Sequence, residues 1–138
     1  MYGTHHHTID AKGRLFIPAR MREKLGERFY ITISFEECLT VYSEERWKKA
    51  EEKLETMSQV EQMEIRPVFS SASEVELDGQ GRIPLTKELR EHAGLTKNVS
   101  VVGTGLYVQI WDSDKYKQIQ SKEYNSENLK NAIGKLGF

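Results

Sequence analysis

Two short stretches hold residues whose types and spacing could do chemistry. Residues 9–15 read IDAKGRL and residues 77–83 read LDGQGRI. Each sets an acid, two variable residues, a glycine and an arginine in the same order. Asp at the first position and Gly at the fourth suit a type I turn, where the carboxylate accepts from nearby backbone N–H groups and the glycine takes positive φ. The arginine that follows carries a planar fork of donors able to hold a phosphate or a guanine edge with two bonds. The candidate residues are Asp10, Lys12, Gly13 and Arg14 in one stretch and Asp78, Gly81 and Arg82 in the other. Arg20 and Arg22 follow as cations that could touch phosphate. From the residues alone two roles stay open for Arg14 and Arg82. They could pair with Asp10 and Asp78 across their own turns, an exposed contact worth about 0–1 kcal/mol, or they could contact nucleic acid. Both can hold if the acid orients the arginine and leaves its outer N–H groups free. For Arg20, Arg22 and Arg90 a solvated helix face is the expectation.

The elements that position these residues also recur. Sliding the chain by 68 positions aligns residues 8–26 with residues 76–94, and six of the nineteen pairs are identical. They are Asp10/Asp78, Gly13/Gly81, Arg14/Arg82, Arg22/Arg90, Glu23/Glu91 and Gly26/Gly94. With a slip of one or two residues, FYITIS (29–34) meets VSVVGT (99–104), and LTVYSEERW (39–47) meets VQIWDSDKY (108–116). Each copy reads as a strand, the turn, a return strand, a short helix and two further strands. Pro18 suits the first turn of the first helix, Thr86 caps its counterpart, and Gly26 and Gly94 fall just past the helix ends. Phe29, Ile31 and Ile33 alternate with Tyr30 and Thr32, so one face of that strand is expected to be buried. Ser43 and Asp112 are expected caps of later helices. Residues 44–57 read as a helix facing inward with Trp47, Ala50, Leu54 and Met57. A second helical piece runs from Ser58 to about Arg66, where Pro67 is expected to end or kink it. A copy of about 40 residues is too small to bury a good core alone, so two are expected to pack together. The organisation predicted is a first unit at 5–47, a helical connector at 48–75, a second unit at 76–119 and a C-terminal tail at 120–138 with a short amphipathic helix.

Bulk properties narrow the function. The chain has 138 residues, 38% apolar and 30% charged, with a formal net charge of −1. No apolar run nears the ~18 residues of a membrane span, and the N-terminus reads as having no signal peptide. The single Cys38 fits a reducing compartment. Near-neutral charge is not the usual mark of a DNA binder. Local charge differs, however: residues 10–28 hold Lys12, Arg14, Arg20, Arg22, Lys24 and Arg28 against Asp10, Glu23 and Glu27. An enzyme would need Cys38 as nucleophile with His5, His6, His7 or His92 as base. A lone cysteine before an apolar strand is instead expected to be buried filling or a loop residue. His5 and His7 could share a strand face toward a metal, but no third ligand stands nearby in sequence. An assembly or antitoxin-like interaction module without a DNA target is the alternative reading.

The two turns, the opening HTIDAKGRLFIPARMREKLG (7–26), the second copy VELDGQGRIPL (75–85) and the strand VQIWD (108–112) resemble the MraZ family of bacterial transcription regulators over roughly residues 1–119. The resemblance implies a mainly β fold with short helices (α+β), made from duplicated swapped-hairpin units of the SpoVT-AbrB type. Together these would form a pseudo-barrel, or double-split β-barrel, capped by helices. It implies a ring-shaped homo-oligomer, an octamer being one candidate. It implies binding of double-stranded DNA at promoter direct repeats, and repression of a division and cell-wall gene cluster that includes the regulator's own gene. Cytoplasmic, nucleoid-associated localisation goes with this, and no cofactor, small-molecule substrate or membrane is expected. In this resemblance Arg14 and Arg82 face the DNA, with Lys12 beside the first. Gln80 replaces the lysine in the second copy, so the first unit is expected to bind more strongly. Two departures bear on the second unit. Pro84 predicts a strand there that is shorter than its counterpart or at an edge, and Pro67 sits where the family is expected to continue a helix.

Overall fold

A computed structural model describes all 138 residues. The strands are β1 (Tyr2–Thr8), β2 (Arg14–Phe16), β3 (Arg28–Ile33), β4 (Leu39–Ser43), β5 (Ser73–Glu76), β6 (Arg82–Pro84), β7 (Asn98–Thr104) and β8 (Val108–Asp112). The helices are α1 (Ala19–Leu25), α2 (Glu44–Glu55), α3 (Gln59–Ser70), α4 (Lys87–His92), α5 (Ser113–Glu123) and α6 (Ser126–Lys135). The architecture is α+β, with antiparallel strands and short helices. Both halves run β-β-α-β-β-α-α. The connector helix α3 and the tail helix α6 therefore occupy corresponding places.

Pairing crosses between the halves. Six strands form one sheet in the order β1-β7-β8-β4-β3-β5, and β2 and β6 form a separate two-stranded ribbon. This order reads the same from either end when each strand is exchanged for its counterpart, so a pseudo-dyad runs between β4 and β8 and between β2 and β6. The strand before each turn joins the other half: β1 lies on β7 and β5 on β3. The expected return strand therefore does not run back along its predecessor. Backbone bonds between the two arms of each turn are confined to its aspartate, whose N–H donates to the arginine carbonyl, from Asp10 to Arg14 (3.0 Å) and from Asp78 to Arg82 (2.8 Å).

The core takes matched residues from both halves: Leu15 and Ile83, Ile17 and Leu85, Met21 and Leu89, Val41 and Ile110, all buried. Leu15 faces Ile83 across the ribbon. Each such side chain contributes about 1.5–3 kcal/mol by leaving water. A smaller cluster of Cys38, Val102 and Trp111 lies under Tyr116 and Ile119 of α5. Three expected caps are in place: Ser43 accepts from the Arg46 N–H, Thr86 from Leu89 and Asp112 from Lys115. Pro18 stands one residue earlier than expected, at the N-cap of α1.

Four expectations are corrected. Pro67 neither ends nor interrupts α3, which runs on to Ser70. The turn beyond it is held by packing, with Phe69 against Trp47 (ring centroids 5.1 Å) and the Thr32 hydroxyl donating to the Val68 carbonyl. The same contact explains why Thr32, expected on the open face, is only 1% exposed. Ala50 is exposed, because the inner face of α2 is narrower than its periodicity implied and rests on Trp47, which stacks on Tyr30 at 5.1 Å. β6 is not the shorter strand that Pro84 was expected to give: β2 and β6 are each three residues long, and each is an edge of the two-stranded ribbon. The length is thus set by the pseudo-symmetric ribbon. α6 is capped by Asn125 and exposed along its whole length, leaving Leu129, Ile133 and Leu136 open to solvent.

Candidate nucleic-acid interface

Each turn is built around its aspartate. Asp10 Oδ1 accepts the backbone N–H groups of Lys12 and Arg14, both at 2.9 Å, and Oδ2 accepts Arg14 Nε–H at 2.8 Å. Asp78 repeats the arrangement with Gln80, Arg82 and Arg82 Nε–H at the same distances. The Gly13 N–H returns to the Asp10 carbonyl and that of Gly81 to Asp78, each at 3.0 Å. Gly13 and Gly81 have φ of 76° and 77°, a region that favours glycine. Accepting the Arg14 backbone N–H, before any charge effect, holds the Asp10 carboxyl below its ordinary range, and the Arg82 N–H does the same for Asp78.

The ribbon brings the two arginines together. Arg14 pairs in register with Pro84 and Phe16 with Arg82. Residues opposite each other in an antiparallel pair share a face, so Arg14, Phe16, Arg82 and Pro84 form the outer face above the buried Leu15 and Ile83. The side chains of Arg14 and Arg82 are 31% and 26% exposed, so they are neither sealed nor free. Their Nε atoms are committed to the aspartates. The terminal nitrogens of Arg14 make no hydrogen bond within the protein, and Arg82 Nη1 lies 3.6 Å from Asp10 Oδ2. Asp10 therefore serves both arginines, whereas Asp78 serves its own. Pairing within the turn and partial exposure of both side chains coexist here.

The other candidates separate into two groups. Lys12 and Arg20 are exposed and make no ion pair, and Gln80 is the neutral counterpart of Lys12. Arg22 and Arg90 do not lie on solvated helix faces. Their Nε atoms are buried without a hydrogen-bond partner, and each guanidinium rests on the turn of the opposite half. Arg90 was missed as a candidate, although its identity with Arg22 in the aligned copies was the available signal. Phe16 was missed as well: it packs against His7 in a tilted pair with centroids 5.2 Å apart and carries Arg22 Cζ 5.3 Å above its ring.

The remaining chemistry-bearing groups sit apart from the ribbon or serve it structurally. Burial pushes the Cys38 thiol up to about 12. Burial first, then the neighbouring His5 and His6, lowers His7. His6 Nδ1 is 3.0 Å from the Ser100 hydroxyl. No three His, Cys, Asp or Glu side chains converge as a metal cluster. No helix is long and apolar enough to cross a membrane.

Comparison with known proteins covers nearly the whole chain. A family model described as "MraZ protein, putative antitoxin-like" matches residues 1–66 and 68–135. The transcriptional regulator MraZ of Acetivibrio thermocellus is 39% identical over 141 residues, covering 99% of both chains. The protein of the same name from Heliobacterium modesticaldum is 45% identical, covering 87% of this chain and 86% of its own. That from Moorella thermoacetica is 46% identical, covering 84% and 83%.

Proposed function

The chain belongs to the MraZ family, and from that premise we propose that it is a sequence-specific DNA-binding transcriptional regulator. The carrying observation is the outer face of the β2–β6 ribbon, where Arg14 and Arg82 are oriented by aspartates yet stay 31% and 26% exposed. Lys12 stands beside Arg14 with no acid to neutralise it. Such a two-stranded ribbon fits a major groove, and its arginines can meet base edges or phosphates. The protein represses a division and cell-wall cluster that includes its own gene, by binding direct repeats upstream of it. It acts in the cytoplasm, at the nucleoid. The functional units are 5–47 and 76–119, two swapped hairpins closing a pseudo-barrel, with 48–75 as connector and 120–138 as tail.

Affinity comes from repetition. If Lys12, Arg14 and Arg82 each neutralise one phosphate, a protomer contributes a log–log salt slope of about −2.7. That is weak binding for a monomer. A ring of protomers on repeated sites multiplies it without new contacts, provided the spacing matches. The first unit dominates because only it carries the lysine.

A mobility-shift titration on the chain's own upstream region tests the reading, alongside sedimentation to verify the folded oligomer. The expected result is a shift at low salt that Arg14→Ala weakens at least tenfold while the oligomer persists. No shift by the folded wild-type oligomer at low salt removes the proposal and leaves an interaction module in its place.

A further inference from the structure

Arg22 on α1 and Arg90 on α4 are equivalent in the two copies, and they make equivalent contacts across the pseudo-dyad. A Cβ placed on Gly81 would lie 2.6 Å from Arg22 Nη1 and 3.0 Å from its Cζ. One placed on Gly13 would lie 3.2 Å from Arg90 Cζ and 3.4 Å from its Nη2. Each guanidinium thus rests against the bare side of the glycine that closes the other half's turn. Neither makes an ion pair, and each leaves Nε buried without a partner. Leaving such a donor unpaired is costly, so electrostatic pairing does not account for the placement. Shape does: a flat group fits where a glycine has no Cβ, and Phe16 packs against Arg22, its ring centroid 5.3 Å from Cζ and its Cε2 3.2 Å from the same position on Gly81.

We infer that Arg22 and Arg90 are positioning residues, each clamping the arginine-presenting turn of the opposite half. α1 sets the Gly81 turn and so Arg82, while α4 sets the Gly13 turn and so Arg14. The aspartates hold each turn from within its own half, and the guanidiniums hold it from the other. The Arg22 clamp is the tighter, since its approach is closer and only it packs against an aromatic ring. The clamp stands on packing alone; its consequence for DNA rests on the function proposed above.

Amide hydrogen exchange on the full chain tests the clamp without DNA. With Arg22→Met, exchange at Gln80, Gly81 and Arg82 is expected to quicken at least tenfold, while Lys12, Gly13 and Arg14 stay within twofold. Arg90→Met is expected to reverse the pattern with a smaller change. Arg22→Lys keeps the charge but loses the plane; it is expected to give the same crossed pattern, and it carries the test if the Met variant fails to fold. Effects on the turn of the same half, on both turns equally, or on neither overturn the inference. In mobility shifts, Arg22→Met combined with Arg82→Ala is expected to lose less affinity than the product of the single losses, and combined with Arg14→Ala to lose the full product. Full-product losses in both combinations would make Arg22 an independent phosphate contact and overturn the positioning role. Absence of any wild-type shift bears on the proposed function and leaves the exchange result to decide the clamp.

Discussion

Replacing Gly13 and Gly81 by alanine, one at a time, separates backbone strain from contact across the halves. The two glycines share the same backbone conformation, φ of 76° and 77°. A left-handed alanine costs about 1–2 kcal/mol, partly offset by a less flexible unfolded chain, so each substitution loses about 1 kcal/mol from this source. The surroundings differ. At Gly81 the new methyl would stand 2.6 Å from Arg22 Nη1, too close for that group to stay in place, and 3.2 Å from Phe16 Cε2, which must give by a few tenths of an ångström. At Gly13 the nearest atom is Arg90 Cζ at 3.2 Å, and a few tenths of an ångström relieve it. Overpacking costs typically 1–3 kcal/mol, and the long arginine can yield, so the low end applies. Gly81→Ala is therefore expected to lose about 2 kcal/mol and Gly13→Ala about 1 kcal/mol. The difference corresponds to roughly 4 °C in Tm. Urea unfolding at one fixed protein concentration measures both, since assembly shifts apparent stability. In an Arg22→Ala background the excess at Gly81 is expected to vanish, while Gly13→Ala adds independently to within about 0.5 kcal/mol. Equal losses at the two glycines, or an excess that survives removal of Arg22, would refute the reasoning.

Three further outcomes follow from the same geometry. Native Cys38 should resist alkylation at pH 8, because burial holds its thiol up to about 12, and should react once urea exposes it; rapid native labelling would contradict that placement. Asp10 and Asp78 are depressed in the folded chain, so their contribution is present above the unfolded value and fades as pH falls below about 4 through the folded values. The acid limb of the unfolding midpoint should be flatter in the Asp10→Asn, Asp78→Asn double variant, and an unchanged limb would assign acid sensitivity elsewhere. Ending the chain at Tyr124 should shift stability by no more than about 0.5 kcal/mol at a concentration where the protein is monomeric, because α6 contributes no buried residue.

Local chemistry was readable from the sequence; the choice of partner was not. The two turns follow from side chains that bond their own backbone within four residues, as Asp10 and Asp78 do. The caps at Ser43, Thr86 and Asp112 are equally local. Alternation in β3 marked Phe29 and Ile31 as buried, but it could not tell that α3 would close the other face over Thr32. Pro67 carries a local penalty of about 3 kcal/mol inside a helix, and contacts distant in sequence set the outcome. Arg22 and Arg90 were visible as a matched pair. Whether a matched arginine meets water or a glycine depends on how the other half docks, and no spacing records that.

The exchange of strands bears directly on function. Because β2 pairs with β6, the face that carries Arg14 and Arg82 does not exist in either copy alone. One copy supplies half a ribbon, half the core beneath it and the guanidinium that steadies the other copy's turn. The duplication therefore specifies a single surface with two arginines at a fixed separation. Its symmetry is broken in a consistent direction. Asp10 reaches Arg82 as well as Arg14, at 3.6 Å and 2.8 Å, while Lys12 has no acid and Gln80 no charge. Asp10 thus draws Arg82 toward the first turn, where the uncompensated lysine also stands. The one candidate cation of the two turns without an acid partner, Lys12, therefore stands on the first copy, although the ribbon beneath is shared by both.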